Sequence, residues 1–269
     1  MTSEILQSVD RLSKDTAAAS VTLGDAEARF LVDTYYDMQD QRIRDNNKVR
    51  ALSEADEPHD VLRWLAAQST TLENQIKRAL TKYAESDPRG AWPISVIGIG
   101  PIITAGLMSH IDITKAPTVG HIWRFAGLDP TQTWDKGQKR PWNARLKVVC
   151  WKAGESFVKV SGNEDAFYGR IYVQRKELEM SRNEAGMFAD QAAAVLAKRR
   201  IGKDTDAYAA YSVGKLPPAH VHARAKRYAV KLFLAHLHDA WYHLAFNKAP
   251  PLPYAIEHLG HAHMIERPQ

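Results

Sequence analysis

The chain has 269 residues, 45% of them hydrophobic and 25% charged, with a formal net charge of +5; that is the composition of a soluble globular protein, long enough to bury a substantial core in one large domain or two small ones. Cys150 is the sole cysteine, which excludes an intrachain disulfide and a cysteine-based zinc site. No apolar run reaches membrane-spanning length and the N-terminus lacks the basic-then-apolar order of a secretion signal, so a cytoplasmic protein with no membrane partner is expected.

Residues 1–24 mix Ser, Thr, Ala and Asp without a sustained apolar period and read as a flexible N-terminal arm. From Asp25 to Leu52 the pattern turns helical, with Leu31, Tyr35, Met38, Val49 and Leu52 on one stripe, until the segment carrying Pro58 breaks it. A second helix is expected from Asp60 to Ala84. Its Leu62, Leu65, Ser69, Leu72, Ile76, Ala79 and Tyr83 advance in steps of three and four, which is coiled-coil spacing. Residues 25–86 therefore read as a helical hairpin or coiled coil, its seam buried within the chain or in a dimer.

After an Asp87-Pro88-Arg89-Gly90 turn comes an apolar run, Ile94 to Ile99, then the bend Gly98-Ile99-Gly100 and Pro101 opening an apolar helix. Glycine permits backbone angles that side chains forbid, and proline is tolerated where a helix has no internal partner for its N–H. The unpaired amides of such a helix start, with the macrodipole behind them, suit a phosphate oxygen. The first reading is a helix-hairpin-helix in which the amides of Gly98, Ile99, Gly100 and Ile102 hold a nucleic-acid backbone. Two others stay open. The β-branched run also fits a buried strand entering a dinucleotide-binding turn, although Ile103 stands where that motif needs its third glycine and no strand follows. The segment also fits an ordinary turn between two core helices.

Beyond Asp112 a short helix carrying His121, Ile122, Trp123 and Phe125 is expected, closed by Ala126-Gly127-Leu128-Asp129-Pro130. Residues 131–143 read as a polar, basic loop, followed by helices over 144–160, 167–180, 184–198 and 219–246. Pro250-Pro251-Leu252-Pro253 then starts an extended Pro- and His-rich tail over 247–269. Strand signals are few. The fold class expected is mostly α, a long helical hairpin or coiled coil followed by a helix-hairpin-helix-containing helical domain over 87–246.

The positive charge is concentrated: Arg124, Lys136, Lys139, Arg140, Arg145, Lys147 and Lys152 are interleaved with Trp123, Trp134, Trp142 and Trp151. Cations meet phosphates, and indoles stack on bases or pack against arginines. Trp123 and Trp151 read as core, Trp134 and Trp142 as contacts. Lys198-Arg199-Arg200 with Lys203, and Arg224 with Lys226 and Arg227, are secondary patches that fit solvated faces equally well. Histidines crowd the C-terminal part, at 220, 222, 236, 238, 243, 258, 261 and 263. His258, His261 and His263 suit a metal by spacing, and His236 with His243 share a helix face. Without cysteines or a dense carboxylate set, packing and hydrogen bonding are the preferred roles, and neither metal nor cofactor is expected.

Taken in order, four segments make the chain resemble the C-terminal, serine-type transposase domain of the IS one-ten family of insertion-sequence transposases. They are Val96-Ile97-Gly98-Ile99-Gly100-Pro101-Ile102-Ile103-Thr104-Ala105, Phe125-Ala126-Gly127-Leu128-Asp129-Pro130, Lys136-Gly137-Gln138-Lys139-Arg140 and Asn143-Ala144-Arg145-Leu146-Lys147. The preceding coiled coil, Phe167-Tyr168-Gly169-Arg170 and Arg227-Tyr228-Ala229-Val230-Lys231-Leu232 are similar too, so the resemblance spans residues 60–246. It implies DNA binding, in a family whose N-terminal RuvC-like domain holds divalent metal with four acidic residues and whose C-terminal domain supplies a serine nucleophile after the Ala-Gly-Leu turn. Here an arm and a helix precede the coiled coil, and residues 131–145 offer Thr131 and Thr133 but no serine. Ser156 and Ser161 lie later and match nothing in the family pattern.

The expectation is a transposase-like DNA-binding protein of a phage or mobile element, without strand-transfer chemistry or catalytic residues of its own. It would be an accessory or regulatory factor in DNA recombination, nucleoid-associated, acting beside a recombinase and forming a homo-oligomer through the coiled coil. Its contact set is Gly98, Ile99, Gly100, Ile102, Trp134, Lys136, Lys139, Arg140, Trp142, Arg145 and Lys147. Two alternatives remain: an active transposase that takes its metal domain from another chain and uses Thr131 or Thr133, and a structured-RNA-binding protein.

Overall fold

In the computed structural model, which describes residues 12–55, 60–251 and 265–268, every regular element is a helix. The fold is mostly α. The chain divides into two compact units, Met1–Ser95 with Gly100–Asp112, and Val96–Ile99 with Ile113–Gln269. Among the described residues no helix is long and apolar enough to cross a membrane.

The first unit holds α1 (Lys14–Ala19), a 3-10 turn (Ser20–Thr22), α2 (Asp25–Glu54), α3 (Asp60–Ser86), α4 (Pro88–Ser95) and α5 (Pro101–His110). Glu27 starts α2 by accepting the Gly24 N–H at 2.7 Å, which places a carboxylate where the first-turn amides need a partner. Along α2 and α3 the partners run in opposite senses. Tyr83 donates to Asp25 at 3.0 Å, Arg42 reaches Glu73, and Ser69 donates to Asp45 at 2.7 Å; the two helices are antiparallel. Burial on α3 falls on Ala66, Ser69, Glu73, Leu80 and Tyr83, whereas Leu65 stays exposed. Of the stripe read from spacing, Ser69, Ala79 and Tyr83 are buried and Leu65 is not, and the polar Asp45 and Glu73 are buried as well.

Two expectations are corrected in this unit. Residues 12–22 are not a loose arm: the Leu12 N–H donates to Gln75 Oε1 at 3.1 Å, Ser13 caps α1, and Ala17 and Ser20 are buried against α3. The remainder of the expected arm, 1–11, lies outside the described residues. The expected boundary at residue 86 joined α4 and α5 to the segments that follow them, yet both pack on α3, and α5 on α2 as well. The cause is composition. Residues Thr104 to Ser109 are buried without interruption, and a helix apolar on every side needs neighbours all round.

The second unit contains a 3-10 turn (Ile113–Lys115), α6 (Val119–Phe125), α7 (Ala144–Lys159), α8 (Phe167–Glu184), α9 (Ala189–Lys198), α10 (Asp206–Ser212) and α11 (Pro218–Phe246). Its axis is α11, where Val221, Ala225, Ala229, Phe233, Leu237 and Trp241 are buried at four-residue steps and α6, α7 and α8 pack around them. Helix α7 answers with Leu146, Val149, Cys150, Ala153, Gly154 and Phe157. At Gly154 a Cβ would lie 2.7 Å from Lys226 Cγ, so only glycine permits this approach. Phe157, Tyr168 and Phe233 close the centre, with ring centroids 5.0 to 5.5 Å apart. Burial pushes the Cys150 thiol up to about 12, leaving it an inert core group.

Helix α9 begins at Ala189 rather than at 184, because Gly186 takes a φ of +75° and ends the preceding helical run. Helix α10, opened by a Thr205 cap that accepts the Tyr208 N–H at 3.2 Å, was not anticipated. At the described end of the tail, over 265–268, Ile265 O accepts from His236 Nε2 at 2.7 Å and Arg267 reaches Asp239 at 3.2 Å. His258, His261 and His263 lie outside the described residues.

Candidate nucleic-acid interface

The hairpin turn is built by two buried anchors, Val96 and Ile99, and one glycine. The Ile99 N–H donates to Val96 O at 2.9 Å, and Gly98 takes a φ of +98° that disfavours any side chain. Ser156 Oγ donates to Gly98 O and fixes the turn to α7. Ser156, which matched nothing in the sequence pattern, is therefore a structural tie. Of the amides expected to hold phosphate, that of Ile99 is committed to the turn itself. Gly100 is extended at the N-cap of α5 with Pro101 at the first helical position, and a Cβ at Gly100 would meet no atom within 4 Å. The Ile102 amide belongs to the first turn of α5, where helix geometry supplies no internal acceptor.

The basic loop has a firm base. After α6, Gly127 takes a φ of +65°, and a Cβ there would lie 2.8 Å from the Trp142 ring. The Ala-Gly-Leu turn thus needs its glycine twice over, for the backbone and as the floor beneath an indole. The Asn143 N–H donates to Phe125 O at 2.8 Å, and the Asn143 side chain accepts the Arg145 and Leu146 N–H groups at 3.0 Å, starting α7. Residues 126–142 therefore leave and return at one point.

On this base, cations sit on indoles. Lys147 Nζ lies 4.3 Å from the centroid of Trp142, and Arg140 Cζ lies 5.1 Å from that of Trp134. Trp134 donates its N–H to Gln138 O at 2.6 Å and remains 39% exposed. Lys136, Lys139, Arg140, Arg145 and Lys147 are all exposed. Among the described residues none of the ion pairs includes Lys136, Lys139, Arg140 or Lys147.

Helix α11 adds two cations that spacing alone did not join to this group. Lys147 is held below the ordinary lysine range by partial burial and then by Arg227 and Arg140, which places Arg227 within electrostatic reach of the loop base. Lys231, one turn on from Arg227, is likewise lowered by burial, with Asp129 opposing and Arg227 adding to the effect. Its Nζ stands 4.1 Å from the Trp123 centroid, while Trp123 donates its N–H to Lys231 O at 3.0 Å. The signal was present in the four-residue spacing of Arg227 and Lys231, but only the packing of α11 on α6 and α7 brings them to the loop.

Other candidates resolve differently. Trp123 is partly buried, whereas Trp151, expected in the core, is 52% exposed with Lys226 Nζ 5.3 Å from its ring. It falls off the buried stripe of α7, one residue past Cys150. Thr131 donates its hydroxyl to Asp129 Oδ1 at 2.7 Å and its N–H to the same oxygen at 2.9 Å. These bonds hold the Asp129 carboxyl below its usual range, so it is a weak base toward that hydroxyl.

The histidines of α11 are engaged with the fold: His220 with Tyr211 at 3.0 Å, His222 with Tyr172 at 2.8 Å, His236 with Tyr168 at 2.6 Å and His238 with Ala116 O at 2.7 Å. His243 lies 3.4 Å from Asp239. Comparison with protein-family models, with curated proteins and with solved structures returns no match to this chain.

Proposed function

We propose that this chain binds nucleic acid by its phosphate backbone. The principal contact is the basic and aromatic surface formed by Trp134, Lys136, Lys139, Arg140, Trp142, Arg145 and Lys147 together with Arg227 of α11. The observation that carries the reading is a set of exposed cations seated on indoles, with no carboxylate paired to Lys136, Lys139, Arg140, Lys147 or Arg227 among the described residues. Like charges gathered this way repel one another, and a phosphate chain relieves that repulsion while releasing its own counterions. The amides at the start of α5, Gly100 and Ile102, are a separate phosphate contact of the same reading.

Phosphate contacts position a protein but carry little sequence information, so weak sequence preference follows from this surface alone. The motif series supports duplex DNA as the substrate and a transposase-like accessory role in recombination of a mobile element. Residues 131–145 supply no serine, and Thr131 is tied to a weakly basic Asp129, which favours an accessory over a catalyst.

The test is binding of labelled duplex DNA across a salt series, with the native chain, Lys147→Glu and Gly100→Glu. Gly100→Glu is a clean probe, because a Cβ there meets no atom within 4 Å and the backbone is ordinary extended chain. Expected are steep weakening with salt, a loss of about tenfold for Lys147→Glu with a shallower salt slope, and a separate loss for Gly100→Glu. Absence of duplex binding, or equal binding by all three proteins, overturns the reading. A clear preference for structured RNA over duplex DNA replaces the substrate.

A further inference from the structure

Arg227 faces a second environment. Between α9, α10 and the first turns of α11 lies a cavity of about 440 Å³, and its wall includes Lys198, Arg199, Arg227, Gln191, Tyr211 and His220. No carboxylate lines it, and none of the ion pairs among the described residues involves Lys198, Arg199 or Arg227. The neighbouring Arg224 shows what a compensated arginine looks like here. It donates to Glu179 Oε2 at 2.7 Å and to Gln191 Oε1 at 2.9 Å, and Glu179 is buried with Arg175 2.5 Å away. That chain continues into the cavity: Gln191 Nε2 lies 3.5 Å from His220 Nε2, and Tyr211 Oη lies 3.0 Å from His220 Nδ1. Gln191, His220 and Tyr211 are thus tied through Arg224 to a buried carboxylate, while Lys198, Arg199 and Arg227 form no ion pair among the described residues.

We propose that this cavity is a phosphate-monoester site that takes the terminal phosphate of a nucleic-acid strand together with its sugar. The assignment rests on the nucleic-acid reading above and names where a strand end is held. A monoester carries nearly two charges at neutral pH against one for a backbone diester, which suits three cations. Arginine forks bind phosphate oxygens in pairs. The volume falls within the range of about 300–1,000 Å³ found for small-ligand sites, larger than a bare anion requires. A free sugar phosphate shares this chemistry and is the other source the test must separate.

The experiment uses the full chain and three labelled single strands of one sequence, carrying a 5′-phosphate, a 3′-phosphate or neither, with the native protein and Arg199→Gln. Arg199 is exposed, outside the core, and reading the ratio between strands within one protein cancels any general loss of charge. One phosphorylated strand should bind about tenfold tighter than the unphosphorylated one, with the ratio falling towards one in Arg199→Gln. In parallel, the His220 ring resonances are followed during addition of ribose 5-phosphate. Burial and Arg224, Arg227 and Arg199 hold His220 below the ordinary histidine range, so an anion in the cavity should raise its titration midpoint.

Equal affinity for all three strands, with strand binding intact, overturns the assignment and leaves the wider reading standing. Failure of every strand to bind, with a His220 response to ribose 5-phosphate, supports a phosphate-monoester site for a small molecule and overturns the strand-end assignment, while the wider reading is decided by duplex binding. Silence in both measurements overturns the cavity as a phosphate site of either kind.

Discussion

The charges inside the first unit and those on the basic surface of the second are arranged in opposite ways. In the first, Arg42 meets Glu73 inside the α2 and α3 pair, Asp45 accepts from Ser69, and Arg89 reaches both Asp87 and Asp25. In the second, Arg140, Lys147 and Lys231 meet indoles, and Arg227 stands beside other cations. An exposed cation over a ring contributes only about 0.5–1 kcal/mol, and crowding of like charge works against it. The first arrangement is accounted for by the fold. The second leaves like charges close together, and that repulsion is what the proposed polyanion contact rests on.

Within the second unit Glu179 is the internal control, a carboxylate 1% exposed held by Arg175 and Arg224. Its removal should have the largest effect of any single change. Glu179→Ala leaves two arginines without their shared partner and should lower stability by about 3 kcal/mol in chemical denaturation; a change below about 1 kcal/mol would remove the contrast between paired and unpaired cations. Arg42→Ala is the counterpart in the first unit and should cost about 2 kcal/mol by the same measurement, since Glu73 is buried. Next comes Gly127→Ala, which meets both a φ of +65° and the Trp142 ring. A loss of about 1–2 kcal/mol is expected, with a change in tryptophan emission that marks the displaced indole.

Acidification should act more weakly, and with a defined sign. Burial holds the buried His236 and His238 below their ordinary value of 6.5, so the unfolded chain binds more protons than the folded one between the two values. Their contribution is complete above 6.5 and is lost as the pH falls through the folded values. Glu179, lowered from 4.5 in the fold, loses its contribution only in a separate window below that. Melting at pH 7.5 and 5.5 should therefore show a drop of roughly 2 °C, reduced in His238→Gln; no drop would mean the neutral rings are not what the fold selects. The smallest effect on stability belongs to Lys147→Glu, expected within about 0.5 kcal/mol of the native chain, although it should weaken DNA binding about tenfold.

Local signals were legible in the sequence. The α7 stripe, the Asn143 cap, the Gly98 bend and the Gly127 turn all follow from rules that act within a few residues, and the exposure of Trp151 was there to be read from the same stripe. What escaped depends on contacts distant in sequence. Leu12 finds Gln75, Ser156 finds Gly98, and α5 joins α2 and α3 through an apolar surface whose partner no spacing names. The basic surface was half legible for this reason. Residues 134–147 announce themselves by composition, whereas Arg227 and Lys231 join them only because α11 runs beneath α6 and α7.

Cys150 carries a practical consequence. As the sole cysteine, fully packed and reluctant to ionise, it should ignore maleimides and mild oxidants in the folded protein. A cysteine placed at Gly100, or in the loop at Gln138, would then be the only reactive thiol on the surface. Spin labels or fluorophores attached there would report contact with a bound strand against a silent background.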